Sequence, residues 1–196
     1  MYKLGITGGM GAGKSTAAKY FQDQGAEVFD ADEEAKILLR ETIDLQLRII
    51  DTFGSKVTTK NNLDLNKLSE IVFSSRNEQQ KLNQIIWPTI FLLIINAATK
   101  AENYDKTLFI VDAALLIEAN FTSFFNSILL IKAPKSIRYE RVLSRKNIPK
   151  HQIEKRIALQ IPDKEKEKVA QTTIANNGSL HDFINKLETF YEQLVI

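Results

Sequence analysis

Gly8-Gly-Met-Gly-Ala-Gly13-Lys14-Ser15 satisfies the pattern G-x-x-x-x-G-K-[ST], and its surroundings decide the fold. Tyr2 to Thr7 before it reads as a short buried strand; Lys14 to Gln24 after it reads as a helix closed by Gly25. Strand, glycine loop and helix in that order make a cradle for a phosphate chain. The glycines let the backbone wrap so that successive N–H groups point inward, and the helix presents its positive end to the same anion. Gly8, Gly9, Gly11, Ala12 and Gly13 are therefore expected to line the phosphates of ATP. Lys14 is expected to reach the β- and γ-phosphates, the Ser15 hydroxyl to ligate Mg²⁺, and Thr16 to offer its N–H and hydroxyl to the α-phosphate.

Beyond this loop, Ala26 to Phe29 reads as a second strand running into Asp30-Ala-Asp-Glu-Glu, where Asp32 is placed to cap a helix with an acidic first turn. The pattern is then helical to about Lys100. Gly54, the polar Lys60 to Asn62 stretch and Pro88 punctuate it, which predicts several shorter helices rather than one long one. Thr107 to Val111 and Ser127 to Ile131 read as core strands and Thr172 to Ala175 as a last strand. Ser136 to Arg145, His151 to Gln160, Asp163 to Gln171 and Ser179 to Leu194 read as helices. Five strands separated by helices predict an α/β P-loop NTPase fold with a doubly wound, mainly parallel five-stranded sheet, whose ligands bind beyond the carboxyl ends of the strands.

Composition narrows the function without deciding it. The 196 residues fit one domain, and 44% hydrophobic with 26% charged residues excludes disorder and fibrous repeats. There is no cysteine, so disulfides, thiolate metal sites and cysteine nucleophiles are excluded. The greasiest run, Thr89 to Ala98, is broken by Asn96 and is shorter than the roughly 18 apolar residues a membrane span requires. The amino terminus enters a strand at once, with no signal-peptide pattern, so a cytoplasmic location is expected. Net charge is +2, too small to argue for nucleic acid. Lys132 to Lys168 nevertheless holds 12 of the 26 Lys and Arg and 5 of the 24 acidic residues, a basic element on an acidic body.

Asp112 ends an apolar strand, where a carboxylate in a P-loop fold faces the metal or its water shell; a plain strand-end turn residue is the alternative. Asp32 stands where an acceptor hydroxyl would meet the γ-phosphate and could take or orient its proton, with helix capping as the other reading. Arg138, Arg141 and Arg145 recur at helical spacing and Arg156 follows on the next helix. They form either a closing guanidinium cluster or a solvated face. Trp87 reads as a core aromatic or as a stacking surface. His151 and His181 lack metal-ligand spacing and receive no role.

Taken together, Gly5-Ile-Thr-Gly-Gly-Met-Gly-Ala-Gly-Lys-Ser-Thr16, Phe29-Asp-Ala-Asp32 and Asp112-Ala-Ala-Leu-Leu-Ile-Glu118 resemble the dephospho-CoA kinase family. Glu140-Arg-Val-Leu-Ser-Arg145, Arg156-Ile-Ala-Leu-Gln160 and Ile174-Ala-Asn-Asn-Gly-Ser179 are similar to its later signatures in order and spacing. The resemblance implies a single domain in three parts: a P-loop core at about 1–32, 105–134 and 170–196, an inserted helical acceptor-binding region at about 33–104, and a helical lid at about 135–169. It implies phosphorylation of the ribose 3′-hydroxyl of dephospho-CoA by Mg-ATP, the last step of coenzyme A synthesis, with no nucleic-acid, membrane or obligate protein partner. Asp32 matches the family's catalytic base, Lys14 and Ser15 its phosphate and magnesium contacts, Arg141 and Arg145 its lid arginines, and Asn176 falls in its nucleotide-side signature. Three positions depart from the pattern. Trp87-Pro88 stands where His-Pro is usual, Ala114 where Asp-x-Pro-Leu-Leu has its proline, and Ala170-Gln171 where Ala-Asp is frequent.

Two rivals share the loop. Another small-molecule P-loop kinase, for a nucleoside or nucleotide, would use the same cleft. A nucleotide-dependent switch would hydrolyse nucleotide without an acceptor, although no Asn-Lys-x-Asp guanine-reading signature is present.

Overall fold

Leu4 and Ile6 of β1 (Tyr2–Thr7) are fully buried, because this strand runs up the middle of a parallel sheet. Residues 1–145 and 150–194 are described in the computed structural model of the chain. After β1 come α1 (Lys14–Asp23), β2 (Glu27–Asp30), α2 (Ala31–Glu41) and α3 (Ile43–Phe53). A small hairpin, β3 (Thr58–Thr59) and β4 (Asn62–Leu63), leads to α4 (Leu65–Val72) and the long α5 (Arg76–Asn103). The chain then returns through β5 (Leu108–Asp112), β6 (Ser127–Lys132), α6 (Lys135–Arg145), α7 (Lys150–Leu159), α8 (Asp163–Glu167), β7 (Thr172–Ala175) and α9 (Leu180–Glu192).

The sheet order is β2-β5-β1-β6-β7 with every pairing parallel. Period-two alternation divides the core. Leu108 and Ile110 of β5 join Leu4, Ile6, Phe21 of α1 and Phe183 of α9 on one face. Phe109 and Val111 join the residues of α3, α4 and α5 on the other. A strand buried along both faces, as β5 is throughout, reads as an unbroken apolar run. The connection after β1 runs to β2 and the connection after β5 runs to β6, in opposite directions across the sheet, so the two loops meet at a switch point where α/β sheets bind ligands.

Several boundaries follow local chemistry. Helix α1 ends in a Schellman arrangement: the Gly25 N–H donates to Gln22 O (3.0 Å) and the Ala26 N–H to Phe21 O (3.0 Å), with Gly25 at φ 95°. The Lys60 to Asn62 stretch does more than interrupt helices. Lys60 and Asn61 both take positive φ and form the two-residue turn of the hairpin. Asp30, rather than Asp32, caps α2, its carboxylate accepting the Glu33 N–H at 2.9 Å. The helix expected over Asp163 to Gln171 stops at Glu167, because Gln171 is drawn onto β6: its N–H donates to Ile128 O (3.1 Å) and its side-chain oxygen accepts the Ile128 N–H (2.7 Å).

Pro88 does not end a helix as the punctuation suggested, since α5 runs through it. Pro88 and Gln84, whose carbonyl loses its donor, are both exposed, so water can satisfy that carbonyl. The opposite side, with Leu82, Ile85, Ile86, Ile90 and Ile94, is built into the core. By length and composition alone α5 is apolar enough to cross a bilayer, which the broken Thr89 to Ala98 run did not suggest. Its buried side packs on α2, α3, α4, β2 and β5.

Pro88→Ala restores the missing N–H at an exposed interior position and should raise the stability of the protein by about 1–3 kcal/mol in urea unfolding. Equal or lower stability would mean that tertiary packing requires the proline's geometry.

Candidate active site

The glycine loop is held from behind. Gly13 takes φ 109° at the start of α1, and a Cβ there would lie 2.2 Å from the Asn176 amide nitrogen. At Gly9 a Cβ would stand 1.6 Å from the Arg138 guanidinium, so that side chain would have to move to admit one. Asn176 follows β7 and is almost fully buried. Its amide donates to Ala12 O (2.8 Å) and its oxygen accepts from Arg141 (3.2 Å), which also donates to the Asn176 carbonyl (3.3 Å). One amide thus ties the P-loop, β7 and α6 together.

In front of the loop is a cleft of about 390 Å³. Gly11, Lys14, Ser15, Asp32, Asp112 and Arg141 all line it. Gly8, Gly9, Ala12, Gly13, Thr16 and Asn176 form the loop's frame instead of the cleft wall. The side chain of Arg145, and residues 146–149 within the segment read as a lid, lie outside the described residues. Arg138 turns away from the cleft to Asp163, 3.9 Å off, so only Arg141 of that pair faces it.

Asp112 ends β5 beside Ile6 of β1, which places its carboxylate 3.8 Å from Lys14 Nζ. Burial pushes this carboxyl up to about 6; Lys14 opposes the rise, Asp32 and Asp30 add to it, and the Ser15 hydroxyl favours the charged form. Its Oδ1 is buried without a hydrogen-bond partner. An orphaned carboxylate oxygen next to a serine hydroxyl at the phosphate end of a P-loop fits Mg²⁺, which binds through one or two protein oxygens plus phosphates and water. Consistently, among the described residues no cluster of three or more Asp, Glu, His or Cys offers an all-protein cage.

Asp32 lies two residues past the Asp30 cap, exposed in the first turn of α2, and leans across to the loop that follows β5. Both its oxygens stand 3.4 Å from the Ala114 N–H. That donor exists because residue 114 is not proline. Lys166 fixes the same loop from beneath. It is wholly buried, donates to Ala114 O (2.9 Å) and pairs with Glu118 (3.2 Å). Burial pulls its ammonium below the ordinary lysine range, against the pull of Glu118.

Sequence reasoning missed Lys166, which no motif marks within a charge-rich stretch. It also assigned no role to two residues in the quoted signatures. Glu118 accepts the Ile161 N–H (3.2 Å), and Gln160 accepts the Met10 N–H of the P-loop (3.2 Å). Arg156 lines the cleft as a half-buried cation 4.4 Å over the Phe73 ring and within reach of Ser69 Oγ (3.3 Å). Trp87 is neither wholly core nor free: it is half-buried, edge-on to Phe121 at 6.3 Å.

A parallel sheet whose first strand delivers Lys14 and Ser15 to a cleft shared with two aspartates and an arginine defines a P-loop kinase. A family profile described as dephospho-CoA kinase matches residues 2–182, and the chain belongs to that family. The dephospho-CoA kinase of Fusobacterium nucleatum is 37% identical over 192 residues, covering 97% of each chain. Among solved structures, TT1252 from Thermus thermophilus aligns over 100% of this chain and 98% of its own with TM-score 0.81 and 27% identity. A dephospho-CoA kinase from Campylobacter jejuni aligns over 97% and 96% with TM-score 0.67 and 25% identity.

The raised Asp112 value has a stability consequence of definite sign. Between 3.8 and about 6 the folded protein holds this proton more tightly than the unfolded chain does. The ligand-free protein should therefore lose stability as pH rises through that window. The displacement is worth about 3 kcal/mol at most, part of it offset because Lys14 loses its partner in a variant. Asp112→Asn should raise the thermal midpoint of the ligand-free protein at pH 7, by about 1–2 kcal/mol in stability, while lowering turnover. A lower midpoint would show that the carboxylate stabilises the fold.

Proposed function

We propose that this chain transfers the γ-phosphoryl group of ATP to the ribose 3′-hydroxyl of dephospho-CoA, giving coenzyme A and ADP in the cytoplasm. The observation that carries the reading is the placement of Asp32, which shares one cleft with Lys14, Ser15 and Asp112 and is held at its mouth by Ala114. An exposed carboxylate so close to the P-loop suits an acceptor hydroxyl better than it suits a bare nucleotide, whose phosphates it would repel.

In this reading Lys14 and the loop N–H groups hold the phosphates. Ser15 and Asp112 would hold Mg²⁺, which would supply charge neutralisation to the phosphates. The acceptor O3′ forms its bond to the γ-phosphorus as the bond to the β-bridging oxygen breaks, and the hydroxyl proton passes to Asp32. Arg141, fixed by Asn176, and Arg145 from the same helix stabilise the transferring group, while 135–169 closes over it as a lid and 33–104 grips the acceptor. Asn176 acts through the loop and Arg141, both of which it already holds.

ADP formation should depend on dephospho-CoA and exceed that with nucleoside monophosphates at equal concentration. Equal or greater turnover of a nucleoside monophosphate would overturn the acceptor assignment, and acceptor-independent hydrolysis would favour a switch. Asp32→Asn should lower kcat by about 10²–10⁴ and leave the KM for ATP unchanged. Lys14→Ala should impair both parameters for ATP. An undiminished kcat in Asp32→Asn would remove the base from the mechanism.

A further inference from the structure

A second cavity, of about 170 Å³, opens beside Asp32 between α5 and the loop that follows β5. Its walls are apolar, with Ile86, Ile90 and Leu116 among them. Apart from the Trp87 indole, the polar side chains that line it are Asp32 and Asn83. Trp87 forms part of the wall and is braced by Phe121, which itself stacks on Phe91 at 4.7 Å. Among the described residues the Asn83 amide has no hydrogen-bond partner. No lysine or arginine lines this cavity, whereas Lys36, Arg141 and Arg156 line the larger cleft that shares Asp32 with it.

We infer that this cavity takes the purine base of the acceptor, lying on Trp87 with its polar edge toward the Asn83 amide. The inference rests on the reading of Asp32 as the residue that meets the acceptor's ribose hydroxyl. Size points to a single ring system: an apolar cavity of about 150 Å³ admits a benzene ring. A cavity of 170 Å³ with an open lip has no room for a whole nucleotide. Connectivity selects the base over the pantetheine arm. A ribose whose 3′-hydroxyl lies at Asp32 carries its base two carbons away, so the base must sit in the immediate surroundings of that carboxylate. The arm is separated from the ribose by a diphosphate, and an apolar wall without a cation would leave those charges unpaired. The cations are in the neighbouring cleft, on the other side of Asp32. Asn83 offers one donor and one acceptor side by side, the complement of an adenine edge with an amino group next to a ring nitrogen.

Trp87 is the single tryptophan of the chain, so its emission reports on this cavity without reference to turnover. With the P-loop saturated by Mg-ADP, both dephospho-CoA and adenosine 5′-monophosphate should change the emission saturably, and 4′-phosphopantetheine should not. Asn83→Ala should raise the half-saturating concentration of dephospho-CoA and its KM by about ten-fold or more, with the KM for ATP unchanged. A response to 4′-phosphopantetheine would assign the cavity to the arm, and silence toward the monophosphate would place the base elsewhere; either overturns the inference. The two readings fail separately. Dephospho-CoA-dependent ADP release with a silent Trp87 keeps the kinase and removes this subsite. An emission response to dephospho-CoA with no ADP release keeps the subsite and removes phosphoryl transfer.

Discussion

The parallel pairing of β1 with β5 sets everything else. Its register puts Ile6 beside Asp112, so the chain leaves β1 into the glycine loop at the level where β5 delivers a buried carboxylate. The Ala113 N–H donates to Ile6 O at 3.0 Å and carries that pairing one step past the strand. Lys14, the first residue of α1 after the loop, has Asp112 as its counter-ion. A carboxylate placed this way is unfavourable on its own, since burial raises it toward neutrality and Asp30 and Asp32 repel it. The fold keeps it where a metal cation and phosphates would compensate for that cost, a local conflict of the kind that marks functional sites.

Side chains of α6, of α8 and of the stretch after α7 reach the loops around the site. Arg141 reaches Asn176 and through it Ala12; Gln160 takes the Met10 N–H; Glu118 holds Ile161; Lys166 holds Ala114. Each contact ends on a residue of the P-loop or of the segment that follows Asp112, whose Ala114 N–H meets Asp32. Displacement of those segments would therefore be felt at the P-loop and at Asp32 together. The Asp32 to Ala114 contact belongs to the same set: a proline at 114 would have no N–H to give.

Most of the core was legible because its signals are local. The G-x-x-x-x-G-K-[ST] run, the apolar strands and the strand-end Asp112 each declare themselves within a few residues, and the five strands were expected within one or two residues of where they lie. What was not legible depended on surroundings. Asp30 and Asp32 have the same side chain and similar placement, and only the geometry of β2 shows that the first caps the helix and leaves the second free to cross to Ala114. Pro88 carries a breaker's signature, yet its exposure on a helix anchored by the opposite side makes it tolerable. Gln171 lost its helix to an edge that no periodicity in its own segment reveals. Lys166 looked like one more surface charge, and its complete burial follows from the position of Glu118 and Ala114, far away in sequence.

In the proposed reaction Asp32 and the P-loop bring one ribose hydroxyl into line with the γ-phosphorus. Phosphorus NMR of the product made from dephospho-CoA and Mg-ATP tests it most directly. The proposed reaction gives a single new phosphomonoester on the ribose 3′ position, formed in equal amount with ADP. A phosphate at any other position, or inorganic phosphate in place of an ester, would contradict it.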